Sequence, residues 1–172
     1  PGATILPMAE IQARQAEVLE LRGALEEKAG ELVASEASLR QAVWAAEAGR
    51  HDEVIASASA RLVRSGMLQA EFEQGREWAE HTRAVLERMG GDDRIEAFVT
   101  NALGAILLRE DRMDDSLEHF RRVVALRQKV YPAEHPEVAA GFNNLGAALI
   151  KLNRYEEARQ QLVQSQAIYE KA

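Results

Sequence analysis

Apolar and small residues recur three to four places apart along almost the whole chain, as in Leu39, Ala42 and Val43 or in Phe120, Val123, Val124 and Leu126. That spacing marks one buried stripe of an α-helix. Polar breaks containing Gly, Asp, Asn or Pro interrupt the stripes and predict helices near 8–28, 31–48, 52–68, 71–88, 93–109, 113–130, 135–152 and 155–171. Gly49, Gly90-Gly91, Tyr131-Pro132 and His135-Pro136 punctuate the joins. Asp52 and Asp92 or Asp93 are positioned to cap the helices that follow them. Alternating runs of β-branched residues are absent, so the pattern predicts an all-α chain.

The breaks themselves repeat. Asn153-Arg154-Tyr155-Glu156-Glu157-Ala158 has counterparts in Asp111 to Ser116, Ala70 to Gly75 and Gly30 to Ser35. Each holds a large apolar residue (Leu32, Phe72, Met113, Tyr155) followed by a small one (Ser35, Gly75, Ser116, Ala158). The helix before each break carries Gly23, Val63, Gly104 or Gly146 at one equivalent place. The unit is therefore a helical hairpin of about 40 residues, present four times, and repeats of this kind stack along one continuous core. Repeat boundaries fall at 8–50, 51–91, 92–134 and 135–172 of a single domain. Glycine inside a helix costs about 1 kcal/mol relative to alanine, and close packing where the two helices cross, with Ala158 opposite Gly146, is the expected compensation.

An array of such hairpins resembles the tetratricopeptide repeat family, whose usual unit is about 34 residues. The longer spacing and the stretch His135-Pro136-Glu137-Val138-Ala139 with Asn143-Asn144-Leu145-Gly146 resemble the lengthened, kinesin-light-chain variety. Val63 and Gly75 depart from the glycine and alanine of that pattern. Val43 to Val54 and Phe72 to Gly91 further resemble the repeat tails of bacterial, myxobacterial-type serine/threonine kinases. The resemblance implies a right-handed superhelical α-solenoid of four hairpins that binds a protein or peptide in a concave groove. It implies an interaction scaffold, a regulatory or adaptor region of a larger signalling protein.

Carried over by position, the groove lining comprises Arg61 and Arg64 in the second repeat, Asn101, Leu108 and Arg109 in the third, and Asn143, Asn144, Ile150 and Lys151 in the fourth. Asparagine can both donate to and accept from a ligand backbone, and cations suit an acidic or carboxylate-bearing segment. The alternative is a structural array that self-associates through its terminal helices, because the last helix keeps Leu162, Val163 and Ile168 with no following cap.

Charge and composition narrow the choice. A net charge of −7 opposes nucleic-acid binding, which needs a clustered basic excess. No apolar run is long enough for a membrane span, and no secretory leader pattern is present. The absence of cysteine excludes disulfides and thiolate metal sites and suits the cytoplasm. Beginning at Pro1, the chain reads as a processed or cloned fragment.

Candidate chemistry is sparse. His51, His81, His119 and His135 are dispersed without metal-ligand spacing. The acidic pairs Glu26-Glu27, Asp92-Asp93, Asp114-Asp115 and Glu156-Glu157 read as helix-start residues favoured by the helix dipole. Trp44, Trp78, Phe120 and Tyr155 read as packing residues. No phosphate loop, nucleophile elbow or kinase segment occurs, so no catalytic residue, cofactor or metal is expected, and any kinase domain would lie outside this stretch.

Overall fold

The computed structural model describes residues 6–171. They form eight helices: α1 (Met8–Lys28), α2 (Leu32–Gly49), α3 (Asp52–Gln69), α4 (Phe72–Met89), α5 (Asp93–Arg109), α6 (Met113–Val130), α7 (Pro136–Lys151) and α8 (Tyr155–Tyr169). No strand occurs among the described residues, and every helix end lies within two residues of its expected place. The helices fall into two compact units, Pro1–Gly91 and Asp92–Ala172. In the first, α1 pairs with α2 and α3 with α4, while α2 packs on α3. The second repeats this arrangement with α5 and α6, α7 and α8, and the contact of α6 with α7.

The turn inside each hairpin is built the same way four times. Gly30, Ala70, Asp111 and Asn153 adopt left-handed backbone, with φ of 81°, 63°, 59° and 58°. The next amide then reaches back to a carbonyl in the last turn of the helix: Glu31 N–H to Glu26, Glu71 to Gly66, Arg112 to Leu107 and Arg154 to Leu149, at 2.8 to 2.9 Å. This closure satisfies helix-end carbonyls and reverses the chain, which is why the breaks recur in the sequence. Glycine, asparagine and aspartate tolerate the left-handed region; alanine at position 70 bears a penalty of about 1 kcal/mol.

Crossing glycines have different neighbours in each hairpin. A Cβ on Gly146 would stand 2.8 Å from the Leu162 side chain and 3.5 Å from the Ala158 carbonyl oxygen, so Leu162 is the closer obstacle. On Gly104 it would meet His119 and the Phe120 ring at 3.2 Å. On Gly23 it would meet Leu39 at 2.7 Å. The small residue across the turn does more than leave room in two hairpins: the Ser35 hydroxyl donates to the Gly23 carbonyl and that of Ser116 to the Gly104 carbonyl, each at 2.7 Å.

The second hairpin corrects the expected equivalence. Val63 is fully buried as an ordinary core residue, and the close backbone approach shifts along the helix to Gly66, where a Cβ would stand 2.8 Å from the Gly75 nitrogen and 2.9 Å from the Glu71 carbonyl. Gly49 is likewise more than a stop signal, since a Cβ there would lie 2.8 Å from the Ala13 nitrogen of α1. The helix stop is Arg50, at φ 56°.

The first unit buries Leu39, Val43, Ile55, Leu62 and Val63; the second buries Leu117, Phe120, Val138, Phe142, Leu145 and Leu149. Two aromatics expected inside are outside: Trp44 and Tyr155 are each 61% exposed, and the Tyr155 hydroxyl donates to Asn153 in the turn. Helical spacing alone does not tell a core stripe from an apolar residue on the outer face. Asp92 caps α5, accepting from the amides of Arg94 and Ile95. Asp52 does not cap; its carboxylate takes two guanidinium hydrogen bonds from Arg88.

Candidate functional site

In the second unit, the first helices α5 and α7 meet through polar side chains. The Asn144 Nδ2 donates to Asn101 Oδ1 at 2.7 Å, both residues half-buried, while Asn143 is exposed. The bond uses one donor of Asn144 and one acceptor site of Asn101, and each carboxamide has further groups to offer. Toward the C-terminal ends of the same two helices stand Arg109 and Lys151, both exposed, and Ile150, 45% exposed. Leu108 is half-buried against the core cluster around Phe120 and Phe142, which limits what it can give a ligand.

The first unit differs. Arg61 and Arg64 on α3 are drawn onto carboxylates of α1. Arg64 Nε lies 2.5 Å from Glu27 Oε1, Arg61 NH1 3.5 Å from Glu27 Oε2, and Arg61 Nε 3.6 Å from Glu20 Oε1. The Glu27 side chain is only 5% exposed. Glu20 also accepts from the Ser57 hydroxyl. Two cations and two carboxylates thus form a closed neutral network between α1 and α3. Neither Glu20 nor Glu27 was among the expected lining residues. Their signal was in the sequence: they stand at the same offsets before and after Gly23 that select Asn101 and Leu108 around Gly104. Glu27 also departs from the helix-start reading of the acidic pairs, for it lies in the last turn of α1.

Neighbouring carboxylates show the electrostatics of an ion-paired surface. Hydrogen bonds from Ser38 and then Arg22 hold the Glu26 carboxyl below the usual glutamate range. The Arg88 guanidinium does the same for Asp52, and Arg154 for Glu157. The histidines have local roles. His51 pairs with Glu17 and His81 with Glu47, each on another helix, and His135 caps α7 through Nδ1 while stacking on Tyr131 with centroids 4.4 Å apart. Among the described residues no three His, Cys, Asp or Glu side chains gather as metal ligands, and no helix is long and apolar enough to cross a membrane.

Paired helices with left-handed turns, crossing glycines and a polar first-helix face define a class of helical-hairpin repeat proteins. Residues 95–171 match the family model of the tetratricopeptide repeat. The chain is a tetratricopeptide repeat protein, by sequence over its second unit and by fold over its first. It is similar to BtubC (BKLC) from P. vanneervenii, with 18% identity over 90% of this chain and a TM-score of 0.74; it spans 63% of that chain's length. It is also similar to a putative kinesin light chain of nearly identical TPR-like repeats from Podosopora anserina, with 18% identity, a TM-score of 0.62, and coverage of 95% of this chain and 82% of the other. A second crystal structure of that protein, carrying a point substitution, aligns at 18% identity with a TM-score of 0.61, covering 95% and 93% of the two chains. No curated protein matches the sequence. Tetratricopeptide repeats in general mediate protein–protein interaction and are typically non-catalytic scaffolds.

Proposed function

We propose that this protein is a non-catalytic scaffold that captures an extended protein segment on the first-helix face of its second unit. The observation that carries the reading is the Asn144 to Asn101 hydrogen bond, which joins two helices in one carboxamide patch beside exposed Arg109 and Lys151. Paired carboxamides suit the amides and carbonyls of an extended backbone, and the two cations favour Asp, Glu or a terminal carboxylate next to it. Arg61 and Arg64 contribute less to acidic recognition, because Glu20 and Glu27 already balance their charge.

The test is selection from a randomised peptide display library against the 172-residue chain. Acidic sequences should be enriched, and Arg109→Glu with Lys151→Glu should weaken the selected peptide at least about tenfold, as expected when charge-assisted hydrogen bonds are lost. Retention of the same peptides by the double variant contradicts the reading. The sequence resemblance of residues 43–54 and 72–91 to kinase repeat tails supports a regulatory role in a larger cytoplasmic signalling protein. A full-length gene without a kinase domain would remove that context while leaving the binding face untouched.

A second reading, self-association through the terminal helices, is favoured by α1, which leaves Ile11, Val18, Leu21 and Leu25 between 44% and 66% exposed.

A further inference from the structure

The first helix carries two stripes on opposite sides. Ala16 and Gly23, two helical turns apart, are buried on one side, with a Gly23 Cβ blocked by Leu39 of α2. On the other side Ile11, Val18 and Leu25 recur at the same heptad interval, with Leu21 between them, all exposed. At about 1.5 Å per residue this second stripe runs roughly 21 Å, and its spacing is that of a two-helix seam.

Equivalent positions in the other repeats show how this side is normally used. Val18 and Leu25 correspond to Ala58 and Ser65 in α3, to Val99 and Ile106 in α5, and to Gly141 and Ala148 in α7, all buried. Only in α1 is the side uncovered. Stacking of hairpins inside each unit brings the backbones close: a Cβ on Gly141 would lie 3.4 Å from the Val124 side chain of α6 and 3.6 Å from its Cα. Val18 and Leu25 are too large for so close an approach. Large residues at heptad spacing fit a partner helix held farther off, with side chains interleaved.

We propose that this face of α1 pairs with the same face of a second copy of the chain, the two helices running antiparallel about a two-fold axis. The proposal gives the self-association reading a surface and a direction, and it is independent of the carboxamide face. Charge selects the direction. A parallel pair in register would set Arg14 against Arg14 and Lys28 against Lys28 along the seam. In the antiparallel pair Val18 meets Leu21 of the other copy at the centre, and the aliphatic stems of Arg14 and Lys28 lie over Leu25 and Ile11. Each copy buries on the order of 500 Å², about 1,000 Å² in all, near the lower bound for a specific interface, so the dimer is concentration-dependent.

Sedimentation velocity of the 172-residue chain over micromolar to submillimolar concentrations tests this. The expected result is a monomer–dimer equilibrium whose dissociation constant rises at least about tenfold in Leu21→Glu and in Val18→Lys, the cost of a charge in a desolvated seam, with unchanged helix content. Because the chain has no native cysteine, oxidation of mixed Ile11→Cys and Lys28→Cys proteins should give a covalent dimer, and Ile11→Cys alone should not. A monomer at every concentration would overturn self-association altogether. A dimer indifferent to both variants, or self-crosslinking of Ile11→Cys, would overturn the antiparallel α1 pairing while leaving self-association standing.

Discussion

The two units use the same hairpins to make unlike faces. In the second, crossing glycines stand where the repeat pattern puts them, and the first-helix face offers carboxamides with Arg109 and Lys151. In the first, the tightest approach in the second hairpin has shifted to Gly66, and the matching face is closed by Glu20 and Glu27 on Arg61 and Arg64. The repeats of one chain thus keep the turn and the crossing while the exposed offsets diverge. What the face can bind follows from the pairs formed between neighbouring first helices, and bulk charge does not reveal it.

The largest separation of the two units comes from filling the crossings. Gly66→Leu would drive a side chain into the backbone of Gly75 and Glu71, and its thermal unfolding should show a loss of about 3 kcal/mol. Gly146→Leu meets the movable end of Leu162 and should lose less, about 1–2 kcal/mol. Equal losses would break the distinction between backbone and side-chain approach.

Next comes Glu27→Ala, which leaves Arg61 and Arg64 without their buried counter-charge. With those arginines 31% and 42% exposed, water recovers part of the loss, and about 1–2 kcal/mol is expected in chemical denaturation. Unchanged stability would mean that the closed network contributes nothing and that the two faces are alike in energy. In the opposite direction, Ala70→Gly relieves left-handed alanine in the first unit and should raise stability by about 0.5–1 kcal/mol, whereas Asn153→Gly in the second should gain less. An equal gain at both turns would show that the side chain does not matter there.

The smallest effect concerns acid. Asp52 and Glu157 titrate below their usual ranges because Arg88 and Arg154 hold their charged forms. A carboxyl whose folded pKa is lowered adds stability above its unfolded pKa and loses that contribution as pH falls through the folded value. Stability should therefore decline below about pH 4, and Asp52→Asn should flatten that decline. NMR titration of both carboxyls provides the check, since ordinary midpoints would remove the effect.

Much of the fold was legible because its determinants are local. The four turns announce themselves through residues that tolerate left-handed backbone or stand in its place, and the helix stripes follow from burial on one side. Less legible was anything decided between helices. Val63 occupies the glycine position of the pattern, yet only the packing of Gly66 on Gly75 shows where the backbones meet. Trp44 obeys helical spacing but lies outward, since periodicity does not say which of two apolar stripes is covered. The lining positions could be numbered from the repeat, but the partnership of Arg64 with Glu27, a whole repeat away in sequence, depends on how α1 lies beside α3.

The most direct test of the central claim compares charge reversal in the two units against one display-selected acidic peptide, read by isothermal titration calorimetry. Arg109→Glu with Lys151→Glu should weaken binding at least about tenfold, while Arg61→Glu with Glu27→Arg should leave it within about twofold, because only the first pair removes charge that a ligand can reach. The reverse order of sensitivity, or equal affinity for all three proteins, would contradict the account.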